Sequence, residues 1–156
     1  MTGRVLYKSI YNKLFFALLG VALISACTSA PRYRSAPAAA DEGAVVAAER
    51  AEIIEVARSY LGTPYRSGGS SRTGVDCSGF VAAVYRQFDI PLPRTSLNQA
   101  TTGLQVSRSE LQPADLIFFK TSRRKLVSHV GIYVGRGKFI HASTEAHRVR
   151  IDHMDD

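Results

Sequence analysis

The chain has 156 residues, enough for one ordinary domain with additional segments. Hydrophobic residues make up 46% and charged residues 21%, a balance that supports a packed core and excludes wholesale disorder. Two cysteines are too few for a disulfide scaffold or a four-cysteine zinc site. The net charge of +7 raises the question of a nucleic-acid partner, and the N-terminal segment argues against one.

Residues 1–26 are predicted to be an export signal. Three basic residues and no acidic one precede an apolar run over 14–24, which is shorter than the roughly 20 residues that a membrane span needs. Small residues then lead to Cys27, a pattern that resembles the lipobox of bacterial lipoproteins. The resemblance implies cleavage before Cys27 and a lipid on that residue, and Thr28 after it favours the periplasmic face of an outer membrane. The alternative is a secretory signal with an incidental cysteine.

Cleavage before Cys27 would leave 17 basic against 13 acidic residues. This mild positive charge suits an anionic cell envelope and does not require nucleic acid, so we expect no nucleic-acid partner. Residues 27–48 begin with Cys27 and are small and rich in Pro and Ala, which predicts a flexible tether. The folded domain is therefore predicted over residues 49–156.

Two helices are predicted at the start of this domain. Residues 49–61 are amphipathic, and Gly62 is placed to end the helix. After a glycine-rich loop, Asp76 is placed to cap a second helix whose first turn contains Cys77. The faces predicted to be buried are Ile53, Val56, Ala57, Tyr60 and Leu61 in the first helix, and Cys77, Val81, Val84 and Phe88 in the second.

The remaining sequence predicts strands. Alternating and β-branched patterns indicate strands over residues 115–119, 129–134, 138–143 and 149–152. Helices followed by a run of antiparallel strands are typical of an α+β fold in which N-terminal helices pack on the sheet.

The relation between two histidines depends on the turn that joins two of these strands. A three-residue loop over 135–137 would make His129 and His141 diagonal neighbours on one face of the sheet. The pairs that follow from this loop are Val134 with Lys138, Ile132 with Ile140, and Val130 with Ala142. A two-residue turn at Arg136 and Gly137 would put the histidines on opposite faces unless a bulge restored the register.

Cys77 is predicted to be a nucleophile. After lipidation of Cys27 it would be the only free thiol of an exported protein, and a helix N-terminus or a nearby imidazolium lowers a thiol pKa. His129 would accept the thiol proton, and His141 would orient His129 through its far nitrogen. The alternatives are a buried structural Cys77 and a metal site made by this cysteine and the two histidines.

With these residues in place, the sequence resembles the NlpC/P60 cysteine peptidases, which have a papain-like fold and cleave peptidoglycan stem peptides. The resemblance rests on six blocks in the family's order: residues 62–69, 75–80, 92–96, 112–119, 128–133 and 139–143. It implies that Cys77 is the nucleophile, His129 the base and His141 the third polar residue. It also places the Tyr65 hydroxyl beside the nucleophile, where it would help the backbone N–H of Cys77 to stabilise an oxyanion.

Three further residues match positions near the cleft. By the resemblance, Ser78, Arg94 and Ser96 are predicted to bind substrate, with Arg94 meeting a carboxylate of the stem peptide. No metal or organic cofactor is expected, and we expect a monomer.

Two departures from the family pattern stand out. Ala114 occupies a position where the family usually has glycine. The chain also stops at residues 151–156, without the family's aromatic-rich final segment ending in arginines, so the C-terminal end of the domain is expected to be incomplete, either as a shortened variant or as a truncated product. An unpaired sheet edge left there would favour association and lower stability.

The sequence therefore predicts a lipid-anchored thiol endopeptidase of the bacterial cell wall. The bond that is cut is either the γ-D-glutamyl–diaminopimelate link or a D-alanyl crosslink. Two alternatives use the same fold: a binding module for the cell wall without catalysis, and an amidase or acyltransferase that uses the same thiol.

Overall fold

The computed structural model describes residues 5–10, 42–120 and 126–155. The apolar run of the predicted signal, Cys27 and most of the predicted tether lie outside the described residues. In the part of the chain that is described, no helix combines the length and the apolar character that crossing a membrane requires.

The fold is α+β, as predicted. Its helices are α1 (Glu42–Arg58), α2 (Cys77–Tyr85) and α3 (Ser96–Gln99). Its strands are β1 (Val5–Ser9), β2 (Ser70–Ser71), β3 (Gly74–Val75), β4 (Leu104–Val106), β5 (Leu116–Phe119), β6 (His129–Gly135), β7 (Lys138–Ser143) and β8 (Arg148–His153). Six strands form an antiparallel sheet in the order β4-β1-β5-β6-β7-β8, and β2 and β3 form a separate small ribbon.

Helix α1 begins earlier and ends sooner than predicted. It starts at Glu42, inside the stretch assigned to the tether, because the alanines that suggested a tether are also the best helix formers. Ile53, Ala57 and Tyr60 are buried as predicted. The prediction for Leu61 is wrong: the helix ends at Arg58, so Leu61 lies in the following turn with 45% of its surface exposed.

Helix α2 begins as predicted. Its cap is Asp76, whose Oδ1 accepts a hydrogen bond of 2.7 Å from the backbone N–H of Gly79. Cys77 and most of the helix that follows are buried against the sheet. The chain tightens into a 3₁₀ turn over Arg86–Phe88, which leaves Phe88 only half-buried at the edge of the core.

The β6–β7 hairpin has the shorter of the two turns considered. Gly135 pairs with Lys138, so the turn is Arg136 and Gly137, which adopt φ values of 54° and 71°. Positive φ at both positions is the geometry of a two-residue turn whose twist matches the strands. The predicted pairing of Val134 with Lys138 is therefore wrong, whereas Ile132 pairs with Ile140 as predicted.

A bulge in β6 compensates for the short turn. The register shifts between Tyr133 and Gly135, which leaves Val134 as the extra residue. One additional residue in one strand reverses the alternation of side chains beyond it, so His129 and His141 again share a face. The two histidines thus meet as predicted, through a different turn.

The sheet has two unlike faces. One face packs against α1 and α2 and forms the main core, with Ile132, Ile140 and Phe118 fully buried. The other carries a smaller cluster of Ile117, Phe119 and Phe139. The histidines lie beside this second cluster, where Phe119 and Phe139 contact their rings.

Ala114 takes the conformation that glycine would adopt most easily. Its φ is +71°, its side chain is fully buried, and its N–H bonds to Tyr133 O at 2.8 Å. The left-handed region costs a residue with a Cβ roughly 1 to 2 kcal/mol. Its carbonyl accepts a hydrogen bond from the buried hydroxyl of Tyr85, which helps to hold this turn in place.

Strand β1 was not predicted. It lies within the predicted signal, yet it pairs with β4 on one side and β5 on the other. Tyr7 is opposite Val106 in β4 and Ile117 in β5. Its Val-Leu-Tyr sequence has the β-branched and aromatic residues that favour strands, a local signal that the basic N-terminal pattern obscures.

Candidate active site

Cys77 stands at the first position of α2, with 91% of its surface buried. The backbone N–H of Val130 donates to its sulfur, which places the start of β6 directly against the thiol. Burial raises the pKa of Cys77 above its usual value, the Val130 N–H works against that rise, and the negative charge of Asp76 adds to it. The predicted lowering of this pKa is wrong for the free protein, because burial outweighs the helix terminus.

His129 is the first residue of β6 and directly precedes Val130, whose backbone N–H faces the Cys77 sulfur. Burial, reinforced by the charge of His141, lowers the pKa of His129 to about 4. At neutral pH the ring is therefore neutral and able to accept a proton. At neutral pH these two shifts favour a neutral Cys77 thiol and a neutral His129 imidazole over a thiolate–imidazolium pair.

Three side chains form a hydrogen-bonded series that begins at His129. His129 Nε2 is 2.6 Å from His141 Nδ1, and His141 Nε2 is 3.0 Å from Asp152 Oδ2. A carboxylate only accepts, so His141 carries its proton on Nε2 and its Nδ1 accepts from His129 Nε2–H. The lone pair of neutral His129 is then on Nδ1, the nitrogen that this series leaves unused.

Asp152 is the member of this series that sequence reasoning missed. The sequence predicted a strand over 149–152 without assigning its face. In the structure His141 is opposite Arg150, so Asp152 is the diagonal neighbour of His141 on the same face. Extending the strand alternation across the β7–β8 turn would have found it.

The pKa of His141 is lowered by burial, and the hydrogen bond and charge of Asp152 partly offset that effect. Arg150 Nε lies 2.5 Å from Asp152 Oδ1, so the carboxylate has a cation on one oxygen and an imidazole on the other. This arrangement fixes which oxygen faces His141.

Tyr65 approaches the nucleophile from the loop before α2. It forms an isolated bridge with Val75, two residues before Cys77, and is half-buried. Burial raises the pKa of Tyr65, and the nearby negative charges that Cys77 and Asp76 can carry raise it further. The phenol therefore stays protonated and can donate a hydrogen bond.

Comparison with known proteins identifies the family of this chain. The sequence matches the NlpC/P60 family over residues 62–156. The chain belongs to the NlpC/P60 family. The "Probable endopeptidase NlpC" of Escherichia coli K12 is 53% identical over 88 residues, which are 56% of this chain and 57% of that protein.

Two further relatives extend the comparison. The "Murein DD-endopeptidase MepS/Murein LD-carboxypeptidase" of the same strain is 42% identical over 98 residues, which are 62% of this chain and 51% of that protein. An NlpC/P60 family protein from Bacillus cereus ATCC 10987 superposes with a TM-score of 0.65 at 36% identity, over 69% of this chain and 35% of that one. The chain thus spans between half and three-fifths of the curated relatives named here.

The NlpC/P60 domain fastens the start of α2 to the preceding loop through Asp76. Asp76 Oδ2 accepts from Gly68 N at 2.9 Å, and the Asp76 N–H donates to Gly69 O at 3.1 Å. The loop can approach α2 this closely because Gly79 has no side chain: a Cβ there would collide with Gly69 O. The loop that carries Tyr65 is therefore fastened to the helix that carries Cys77.

Arg94 is engaged with protein groups rather than directed at open space. Its Nη2 lies 2.6 Å from Asp76 Oδ2, and its Nη1 donates to Asp76 Oδ1 at 2.9 Å and Ser78 Oγ at 3.0 Å. Burial pulls the pKa of Asp76 upward, but hydrogen bonds from Arg94, Gly79 and Gly68 hold it below its usual value. Arg94 thus compensates the charge that lies nearest to Cys77.

The other two residues predicted to bind substrate, Ser78 and Ser96, have different surroundings. Ser78 is buried, and its hydroxyl is already occupied by Asp76 and Arg94. Ser96 opens α3, and across the described ranges it bonds to none of the other predicted site residues. Substrate binding by Ser78, Arg94 and Ser96 stays a prediction.

The metal alternative finds no geometric support in the described part of the chain. No three His, Cys, Asp or Glu side chains within residues 5–10, 42–120 and 126–155 are arranged to hold a metal ion. The two histidines bond to each other instead.

The first prediction concerns protonation of His129. Its ring should titrate with a midpoint near pH 4 in a histidine NMR titration, with His129→Gln used for assignment. The folded pKa lies below the unfolded value of about 6.5, so the unfolded chain binds more protons between these two values. The contribution of neutral His129 to the free energy of unfolding should therefore be fully present above pH 6.5 and should be lost as the pH falls from there through about 4. A midpoint near 6.5 would contradict the described burial.

The second prediction concerns Arg94. Arg94→Gln should leave the Asp76 charge uncompensated and raise the Cys77 pKa further. Alkylation of Cys77 by iodoacetamide at pH 8, followed by peptide mass spectrometry, should then slow by roughly threefold to tenfold. That change corresponds to a rise of roughly half to one unit in the pKa of Cys77. Arg108→Gln is the matched control, because it breaks another arginine–aspartate pair of 2.6 Å, with Asp155 at the surface. Equal or faster alkylation in Arg94→Gln would refute the compensating role.

Proposed function

We propose that the chain is a thiol endopeptidase that hydrolyses peptide bonds in the stem peptides or crosslinks of peptidoglycan. The observation that carries the proposal is the hydrogen-bonded series of His129, His141 and Asp152, whose first member directly precedes Val130, the residue whose backbone N–H faces Cys77. The family and the relatives named as endopeptidases supply the reaction class.

The first chemical step joins the Cys77 sulfur to the substrate carbonyl carbon. Because thiol and imidazole are both neutral in the free protein, the thiol proton moves to His129 Nδ1 as the sulfur attacks. The carbonyl oxygen becomes an oxyanion, which the Tyr65 hydroxyl and the Cys77 N–H would stabilise. The imidazolium of His129 shares its other proton with His141, and the Asp152 carboxylate balances the new charge.

The second half of the reaction regenerates the thiol. His129 gives its proton to the leaving amine, the carbon–nitrogen bond breaks, and an acyl group remains on Cys77. Water then gives a proton to His129, and the hydroxide that remains attacks the carbon of the thioester. The carbon–sulfur bond breaks and the acid is released, while His129 returns its proton to the sulfur. Every proton is carried by this chain's own histidine, so the mechanism requires no cofactor.

Digestion of peptidoglycan tests the proposal. The full chain with Cys27→Ser, to prevent lipidation, should release new muropeptides in the presence of a chelator, whereas the same chain with Cys77→Ala should release none. The masses of the products identify the bond that is cut. An endopeptidase cuts within the peptide, whereas an amidase releases the stem peptide from the sugar, and an acyltransferase gives products that carry the mass of the acceptor.

If the folded protein binds peptidoglycan but both chains release nothing, the non-catalytic binding module is the better account. Slow alkylation of Cys77 is not evidence for that account, because the raised pKa of the free thiol lowers its thiolate fraction and by itself slows alkylation.

Asp152 is proposed as a positioning residue, and Asp152→Asn tests it. Arg150 donates and cannot accept, so the amide oxygen of the new asparagine should take the position of Asp152 Oδ1, beside Arg150. The amide NH₂ should then take the position of Asp152 Oδ2 and donate to His141 Nε2. That reverses the proton positions in both histidines and puts a proton on His129 Nδ1, where the base is needed. The kcat should fall roughly 100-fold or more with KM little changed. Asp155→Asn at the surface should leave kcat unchanged, and an equal loss in both variants would contradict this role.

We also propose that the chain is held in the cell envelope by a lipid on Cys27, on the periplasmic face of the outer membrane and as a monomer. The basic N-terminus, the apolar run and the small residues before Cys27 support this proposal. Growth with labelled palmitate should label the protein, and Cys27→Ser should abolish the label. Labelling that persists in Cys27→Ser would refute the anchor at this residue.

A further inference from the structure

Gln99 is a completely buried glutamine beside the candidate site. It is the last residue of α3, and its exposed surface is 0%. Glutamine is mostly found at protein surfaces, because an amide taken out of water needs hydrogen-bond partners inside the protein. The partners of its amide therefore indicate what the residue does.

The Gln99 amide joins two segments that are separate in sequence. Its Nε2 donates to Pro93 O at 2.8 Å, in the loop before α3, and to Ser78 O at 3.0 Å, in the first turn of α2. An amide nitrogen carries two N–H groups, and both partners are carbonyl oxygens that only accept. Turning the amide over would place oxygen against oxygen, so its orientation is fixed.

The backbone around this side chain is held in place as well. The Gln99 N–H donates to Thr95 O at 2.9 Å, and the Gln99 carbonyl accepts from Thr102 Oγ1 at 2.7 Å. The Thr95 side chain also caps α3, by accepting from the backbone N–H of Asn98 at 3.3 Å. Because the backbone is fixed on both sides, the amide can hold its two partners at a set separation.

Both of these carbonyls belong to residues that bear on Arg94. Pro93 directly precedes it, and the hydroxyl of Ser78 accepts from Arg94 Nη1 at 3.0 Å. The Arg94 guanidinium reaches Asp76, where its Nη2 lies 2.6 Å from Oδ2. The Arg94 side chain is 44% exposed, and a long exposed side chain loses rotamer entropy when it is held in one geometry. The ion pair therefore depends on the position of the loop, which the Gln99 amide sets.

We propose that Gln99 is a positioning residue of the candidate active site: its amide holds the loop that carries Arg94 against the first turn of α2, and thereby keeps Arg94 on Asp76. Asp76 directly precedes Cys77, so the charge that Arg94 compensates is the one next to the nucleophile. The amide bonds to backbone carbonyls, and its effect on Cys77 passes through Arg94. This role rests on the proposed function, in which Cys77 is the nucleophile, whereas the state of the thiol is measured in the free protein without substrate.

Replacement of Gln99 tests the role. In the full chain carrying Cys27→Ser, Gln99→Met keeps the length of the side chain and removes both donors. Arg94 should then spend part of its time away from Asp76, and the uncompensated carboxylate should raise the pKa of Cys77. Alkylation of Cys77 by iodoacetamide at pH 8 should slow by roughly twofold to fivefold, and the midpoint of the rate against pH should move upward. Loosened packing alone would expose the thiol and make alkylation faster.

Gln87→Met is the matched control. The Gln87 side chain also donates to a carbonyl of α2, Ala83 O at 3.4 Å, but at the far end of the helix from Cys77. The chain with Gln87→Met should be alkylated at the rate of the parent chain. An unchanged or faster rate in Gln99→Met would overturn the proposal.

A double variant tests whether the effect passes through Arg94. If it does, Gln99→Met combined with Arg94→Gln should be alkylated at the rate of Arg94→Gln alone, because the compensating charge is already absent. Two slowing factors that multiply would show that Gln99 acts independently of Arg94 and would overturn the proposal. These rates need no substrate, so failure here leaves peptidoglycan hydrolysis standing, and a chain that cuts no peptidoglycan can still show the Gln99 effect.

A second measurement covers a Gln99→Met chain that does not fold. In the parent chain, the side-chain NH₂ protons of Gln99 should exchange with water at least roughly tenfold more slowly than those of the exposed Gln87, as followed by NMR. Protection of both protons supports the two bonds to Ser78 and Pro93. Equal exchange in the two glutamines would show that the amide is not held, and the proposal would fail.

Discussion

The extra residue in β6 is the constraint on which the candidate site depends. Side chains in a strand alternate between faces, so a two-residue turn at Arg136 and Gly137 would by itself separate the two histidines. The bulge at Val134 reverses that alternation and returns His129 to the face of His141. From there the series continues to Asp152 in β8, because three adjacent antiparallel strands each present one residue on this face as a diagonal neighbour of the next. Turn, bulge and register therefore act together in joining His129, His141 and Asp152 into one hydrogen-bonded series.

Burial sets the protonation states of this site. It raises the pKa of Cys77 and lowers that of His129, which favours the neutral form of both partners until substrate brings a developing negative charge. Asp76 is needed as the cap of α2, but its charge opposes thiolate formation, and Arg94 offsets that charge through two hydrogen bonds. The residue expected to bind a substrate carboxylate is thus engaged in a structural and electrostatic role in the free protein.

The sequence predicted what depends on local pattern. The Asp76 cap, the buried start of α2, the hairpin strands and the shared face of His129 and His141 all follow from capping preference and alternation. What it did not predict depends on contacts between distant segments. Asp152 is identified only by the register of β7 with β8, and strand β1 is identified only by its pairing with β4 and β5. The start of α1 was missed for another reason: an alanine-rich composition suits both a tether and a helix.

The most direct test of the account is to look for the covalent intermediate. Single-turnover mixing of the full chain carrying Cys27→Ser with a purified stem peptide, quenched in acid, should leave an acyl group on the peptide that contains Cys77. Intact-mass and fragment mass spectrometry should place that added mass on the sulfur, and it should decay as free acid appears. Product release with no adduct on Cys77, or with an adduct on another residue, would contradict the account.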